Sequence, residues 1–203
     1  MPSKSPVFEQ TTRRYLKEVF ALDFTLIERN LCLKKKERDE ITVPLFGIPH
    51  QISPTGVLAP SGYPADFNRS VIIFKYLLLC PAVCPREVEW VTYRNLKNSG
   101  PLTKYFENEV ERALSSCFSG RLEDLKAATH RLGGLPPSLG VSYDHAAMWD
   151  ALPKVPVMLL FNDADETFPA SASVLFKDSA ESYLDPECLA MVGRLLFTLL
   201  SGN

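Results

Sequence analysis

The chain has 203 residues, of which 46% are hydrophobic and 23% charged, and its formal net charge at pH 7 is −2. A chain of this size and composition can bury roughly 70% of its unfolded surface, which excludes disordered and collagen-like proteins and predicts one domain over residues 1–203. The small net charge gives no field that attracts phosphates or anionic lipids, and no apolar run reaches the roughly 20 residues of a membrane span. We therefore expect neither a nucleic-acid partner nor a membrane partner.

The first third of the chain predicts a helix followed by a small antiparallel sheet. Apolar residues three and four apart indicate a helix from Pro6 to about Asp23. Loose alternation over Thr25–Leu33 predicts a strand, and the charged run Lys34–Glu40 would join it to a second strand at Ile41–Phe46. Acidic residues follow the lysines of this run, which favours a solvated turn over a phosphate-binding patch. Gly47–Ile52 then predicts a return strand.

The middle of the chain alternates loops and helices. Residues 53–64 are rich in Pro, Gly and Ser and predict a loop, after which Asp66 or Asn68 is expected to cap a helix. A Gly- and Pro-rich segment over residues 133–140 predicts a second loop, without the spacing of a phosphate-binding motif. The other predicted elements are a helix at Val71–Leu79, a short strand at Glu87–Tyr93, and helices at Leu102–Phe118 and Leu122–Leu132.

The C-terminal quarter carries the clearest signals. The apolar run Val155–Phe161 predicts a central strand covered on both faces. Residues Ser173–Phe176 predict a second strand or the start of a helix. Asp185 and Pro186 are typical of a helix start, and the apolar face of the helix that follows must pack on the sheet or on a second subunit. The predicted fold class is α+β, with a mainly antiparallel or mixed sheet packed with several helices in one domain.

A cluster of carboxylates follows the predicted central strand and is the first candidate site. Asp163 and Asp165 would point the same way if the strand continued, and with Glu166 they could hold a hard cation or act as an acid and base pair. The alternative is a polar turn that ends the strand and binds backbone amides. The segment does not fit an EF-hand, because Phe168 and Val174 occupy the positions of its glycine and final glutamate.

Histidines give weaker candidates. His145 follows Asp144, so a carboxylate-supported imidazole is one interpretation, and His130 lies in a basic helical stretch. Neither they nor His50 form a metal-binding H-x-x-H or H-E-x-x-H pattern, so surface or structural roles are the alternative.

The five cysteines, Cys32, Cys80, Cys84, Cys117 and Cys188, are odd in number and lie in apolar contexts. This is typical of reduced, mostly buried thiols. The N-terminus also lacks the apolar core of a signal peptide, and together these features predict a cytoplasmic protein. Cys80 and Cys84 lack the further ligands of a zinc site, so no metal or cofactor is assigned.

Several segments resemble a known family. They are the strand that begins at Val155, the motif Asp163–Pro169, the segment Leu175–Ala180 and the pair Tyr183 and Leu184, with weaker support from Gly133, Gly134 and residues 76–78. The family is an uncharacterised domain of unknown function found mainly in anaerobic bacteria and archaea. Some members resemble fusions to an iron–sulfur domain, which implies corrinoid or one-carbon metabolism. This chain lacks the cysteine run of such a cluster, and the resemblance supplies no catalytic residues.

Three functions follow as alternatives. The first is an accessory domain that binds a small ligand or a protein partner where the acidic turn meets the loops at 53–64 and 133–140. The second is a metal-assisted enzyme that uses Asp163, Asp165 and Glu166. The third is a structural subunit that presents the apolar face of its last helix to a homodimer partner or to another subunit.

Overall fold

The N-terminal part contains two helices rather than a helix and a strand. The computed structural model describes residues 6–33, 41–86, 89–138, 140 and 142–202. Helix α1 is Pro6–Val19, as predicted, and α2 is Phe24–Leu31. The strand predicted at Thr25–Leu33 is wrong because Asp23 caps a helix there, accepting a hydrogen bond from the Thr25 amide at 2.9 Å. The predicted turn at residues 34–40 lies outside the described residues.

An antiparallel sheet of three strands follows, in the order β1-β2-β3. Its strands are β1 (Ile41–Leu45), β2 (Ile48–Ser53) and β3 (Gly56–Leu58). The hairpin between β1 and β2 confirms the two strands predicted around residue 47. The loop expected over residues 53–64 is wrong in part, because a tight turn after Ser53 returns residues 56–58 to the sheet.

Helix α3 spans Phe67–Leu78, so the predicted helix is present but begins four residues before the predicted Val71. Asp66 is its N-cap and accepts a hydrogen bond from the Arg69 amide at 2.9 Å. Buried Ile73, Phe74 and Leu77 pack into the core, and α1 lies against the outer side of α3. The helix ends before Pro81, which has no amide hydrogen to continue it.

One long helical stretch and a shorter helix form the next layer. The stretch consists of α4 (Gly100–Phe106), a π-helical segment (Glu107–Arg112) and α5 (Ala113–Phe118), and α6 spans Leu122–Arg131. This confirms both helices predicted here, while the sequence did not predict the π-helical segment. These helices contact β5 and β7 of the second sheet.

The second sheet has four antiparallel strands in the order β4-β7-β6-β5. They are β4 (Trp90–Thr92), β5 (His145–Leu152), β6 (Val155–Asn162) and β7 (Ser171–Lys177). Strand β6 lies between β5 and β7, so the predicted central strand is confirmed and the second element is a strand. The sequence analysis did not predict β5. The two sheets and the helices share one hydrophobic core, which confirms the α+β class.

The last helix, α7, spans Pro186–Ser201 and packs inside the chain. Asp185 caps it, as predicted, accepting a hydrogen bond from the Cys188 amide at 2.9 Å. Its apolar side contacts α3, α4, α5, α6 and the π-helical segment. A homodimer would therefore have to use a surface other than this apolar face.

The cysteines are free, but the expectation that most are buried is wrong. Cys188 is buried, Cys80 and Cys117 are half-buried, and Cys32 and Cys84 are exposed. Among the described residues, no helix is both long and apolar enough to cross a bilayer.

Candidate functional site

The acidic turn after β6 uses two of its carboxylates to bind backbone amides. Asp163 Oδ1 accepts hydrogen bonds from the amides of Gly120 (2.7 Å) and Ala164 (2.8 Å). Asp165 Oδ1 accepts from the amides of Thr167 and Phe168, both at 2.7 Å. The Phe168 bond, followed by the Thr167 bond, lowers the pKa of the Asp165 carboxyl. This geometry matches the polar-turn alternative.

The structure gives no support for a shared metal position at this turn. Strand β6 ends at Asn162, so the alternation that would align Asp163 with Asp165 does not continue. Glu166 is exposed. Within the described residues, no three His, Cys, Asp or Glu side chains are placed to hold one ion. The metal hypothesis for this turn stays a prediction that an ion titration can test.

Asp144 and His145 lie beside this turn but bind different partners. Asp144 Oδ2 accepts a hydrogen bond from the Asp163 amide at 2.8 Å, which ties the start of β5 to the end of β6. The His145 Nε2 atom is 3.0 Å from the Thr129 hydroxyl of α6. Burial, followed by the charge of Lys126, lowers the pKa of His145. His130 is exposed on α6, so these histidines do not converge with the acidic turn.

The loops at 53–64 and 133–140 were expected to border one site. In the described part of the chain, they lie beside different cavities. Residues 55–58 line a cavity of about 320 Å³ together with α1 and the start of α3. Gly133 and Leu135 line another, of about 260 Å³, beside Trp149 of β5. Leu135 and Met148 exchange backbone hydrogen bonds of 3.0 and 2.8 Å, which hold the second loop along the edge of β5. The acidic turn lines neither cavity.

A third cavity, beside the π-helical segment, has the features of a ligand site. Its volume is about 360 Å³, near the lower end of the range of about 300–1,000 Å³ for small-molecule pockets. Its wall combines polar and charged side chains with the rings of two aromatic residues. The lining residues are Thr92, Tyr93, Arg94, Asn95, Thr103, Phe106, Glu107, Glu111 and Ser173.

Glu111 is placed in this cavity by the early end of strand β4. Strand β4 pairs with β7 only over Leu175–Lys177, and Val174 lies one residue beyond that pairing. The Val174 amide donates instead to Glu111 Oε1 at 3.1 Å. The carboxylate therefore accepts a hydrogen bond from an amide of β7 that lies beyond the end of β4 and would otherwise lack a partner. Its second oxygen, Oε2, receives no hydrogen bond from any residue the structure describes.

The surroundings of Glu111 favour its neutral form. Burial is the largest effect and raises the pKa of this carboxyl above its ordinary value of 4.5, while the Val174 amide lowers it. The charge of Glu107 raises the pKa further and that of Arg94 lowers it. Glu107 also pairs with Arg112 at 3.0 Å. This carboxyl group therefore keeps its proton to a higher pH than an exposed glutamate does.

Two of the lining residues, Tyr93 and Phe106, are almost fully buried and have stacked rings. The Tyr93 and Phe106 rings are nearly parallel, with centroids 4.3 Å apart and an angle of 5° between their planes. The Tyr93 hydroxyl donates to the Pro186 carbonyl oxygen at 2.8 Å, which fixes the ring to the start of α7. Burial raises the pKa of Tyr93 to about 12, so its hydroxyl keeps its proton.

Gly193 of α7 allows Phe106 and the π-helical segment to pack closely against α7. A Cβ atom at Gly193 would lie 2.4 Å from Phe106 Cε2 and 3.3 Å from Val110 Cγ1. Without that Cβ, Phe106 and Val110 pack directly on the α7 backbone. The widened π turn is a feature found frequently at functional sites. Here it carries Glu107 and Glu111, both of which line the cavity.

Glu111 is not among the site residues predicted from the sequence, although the sequence contains one indication of it. Glu107 and Glu111 are four residues apart and flank Val110, which belongs to the apolar stripe of the predicted helix. Carboxylates so close to a buried stripe are candidates for partial burial. Arg94 and Ser173 come from distant segments, so only the tertiary structure brings them to the same cavity.

The fold and the cavity define an α+β domain with a small polar site between a helical layer and the edge of an antiparallel sheet. The chain belongs to the family described as a domain of unknown function, DUF3786, whose model matches residues 23–199. No curated protein and no solved structure matches the chain significantly.

Proposed function

We propose that this domain binds a small polar ligand in the cavity beside Glu111. The observation that carries the proposal is the half-buried Glu111 carboxyl, which lines a cavity and uses only one of its two oxygens for a hydrogen bond within the described residues. Removing a carboxylate from water is unfavourable unless hydrogen bonds or an opposite charge compensate. A ligand with a donor near Oε2 would provide that compensation.

The size and composition of the cavity support a small ligand rather than a large one. A volume of about 360 Å³ accommodates a metabolite of modest size, and the lining residues are mainly polar or charged. Thr92 and Ser173 can donate or accept hydrogen bonds.

The broader setting of this role rests on the sequence alone. We infer that the domain is a cytoplasmic accessory protein, in line with its scattered cysteines and its resemblance to a family of anaerobes. Service in corrinoid or one-carbon metabolism is part of the same hypothesis. An accessory role fits a domain that binds a ligand and offers it to a protein partner.

A thermal-shift screen tests the binding proposal. The native chain, Glu111→Gln and Glu109→Gln are melted with a panel of amino acids, dicarboxylic acids, polyamines, sugars and nucleosides. Glu109 is a matched control, because it lies exposed in the same π-helical segment and does not line the cavity.

We expect at least one probe to raise the melting temperature of the native chain and of Glu109→Gln, with a reduced effect in Glu111→Gln. A probe that stabilises all three variants equally would place binding elsewhere. The absence of any stabilising probe in the panel would refute the proposal.

A further inference from the structure

We infer that the ligand of the Glu111 cavity is a small zwitterion that carries an amine and a carboxylate; this inference rests on the proposed function. The observation behind it is the placement of Arg94 and Glu111 on the wall of one cavity of about 360 Å³. The cavity therefore presents a fixed positive charge and an acidic group to the same ligand.

The acidic side of the cavity has an oxygen available for an amine. Glu111 Oε1 is bound to the Val174 amide at 3.1 Å, whereas no described residue donates to Oε2. Glu107, the other acid of the wall, is already paired with Arg112 at 3.0 Å. An ammonium group at Oε2 would form a charge-assisted hydrogen bond and favour the ionised form of Glu111.

The basic side has a guanidinium available for a carboxylate. Arg94 lies in the short 3-10 helix Tyr93–Asn95 that follows β4. It is exposed, it lines the cavity, and among the residues described it forms no ion pair. A guanidinium binds a carboxylate through two parallel hydrogen bonds, which gives orientation as well as affinity.

Ligands with one charge fit this wall less well. A simple anion at Arg94 would face the two glutamates, and a simple cation at Glu111 would face Arg94. An uncharged ligand would displace water from both groups without bringing an opposite charge to either. A zwitterion compensates both charges at once, and electrostatic complementarity of this kind also determines specificity.

Calorimetry with matched probes tests this inference. The probes are glycine, β-alanine and γ-aminobutyrate, whose amine and carboxylate are progressively further apart. Each is compared with its N-acetyl derivative, which keeps only the carboxylate, and with its carboxamide, which keeps only the amine. The proteins are the native chain, Glu111→Gln, Arg94→Gln and the control Glu109→Gln.

We expect one of the zwitterions to bind the native chain and Glu109→Gln, with its derivatives and both cavity variants at least about tenfold weaker. If a derivative binds as tightly as its parent and depends on Glu111, the binding function stands and the zwitterion inference is wrong. If none of the probes binds the native chain, the inference is also wrong. The thermal-shift screen then remains the test of the proposed function.

Discussion

Substitution of Gly193 by alanine should destabilise the protein, although alanine normally favours a helix. The added Cβ would lie 2.4 Å from Phe106 Cε2 and 2.8 Å from Cζ. Carbon atoms in contact are normally about 3.5–4.0 Å apart, so the overlap is about 1 Å. The Phe106 ring cannot move away easily, because it is 1% exposed and stacks on Tyr93.

The expected magnitude follows from two opposing effects. Overpacking of this kind costs about 1–3 kcal/mol, and the tight overlap places Gly193→Ala near the upper end. Alanine recovers about 1 kcal/mol through its higher helix propensity. The net loss in the free energy of unfolding is about 2 kcal/mol, which lowers the melting temperature by about 4–8 °C in a domain of this size.

A double-mutant cycle measured by chemical denaturation checks this reasoning. Phe106→Leu removes the two ring atoms that would collide, so Gly193→Ala should cost much less in that background. Gly100→Ala is the control, because a Cβ there meets nothing within 4 Å. If Gly193→Ala destabilises the native chain and the Phe106→Leu variant equally, the proposed collision is refuted.

Three further predictions concern titration and ions. Burial raises the Glu111 pKa above 4.5, so the contribution of this group to stability is full below pH 4.5 and is lost as the pH rises through the raised pKa. Over this range, the melting temperature of Glu111→Gln should rise relative to that of the native chain. A constant difference between the two melting temperatures would contradict this prediction. Burial raises the pKa of Asp185, but hydrogen bonds from the Cys188 amide and Lys75 outweigh this effect and lower the pKa below 3.8. The native chain should therefore be more stable than Asp185→Asn above pH 3.8. This difference in stability should disappear as the pH falls below 3.8, which acid unfolding measures. The metal hypothesis predicts that Mg²⁺, Mn²⁺ or Ca²⁺ raises the melting temperature of the native chain but not of Asp165→Asn, and no shift with any ion refutes it.

Local sequence determined those elements whose signals lie within a few residues. Asp185 caps α7 as predicted, and Asp66, one of the two predicted candidates with Asn68, caps α3. A cap can be predicted because it depends on one side chain and an amide three residues away. The apolar run of β6 identified a central strand, since only a strand covered on both faces needs such a run.

Local sequence was insufficient where two periods compete. Residues 25–33 alternate loosely, yet Asp23 and the buried positions Ile27 and Leu31, four residues apart, fit a helix. The loop at 53–64 hid the short strand β3, whose three residues are held by pairing with β2 rather than by a strong pattern of their own. Helix α2 therefore had local signals of its own, whereas β3 depends on its pairing with the neighbouring strand β2.

The two candidate sites differ in the same way, because one is formed by residues adjacent in sequence and the other by residues from distant segments. The carboxylates of the acidic turn are adjacent in sequence, which makes them easy to notice, but Asp163 and Asp165 satisfy backbone amides. The Glu111 cavity depends on where β4 ends, on a π turn and on the missing side chain of Gly193. Sequence alone determined the class of fold and the capped helices, because these follow from local hydrogen bonds and apolar periodicity. Only the tertiary structure decided which charged groups share a cavity, because it brings together residues that are far apart along the chain.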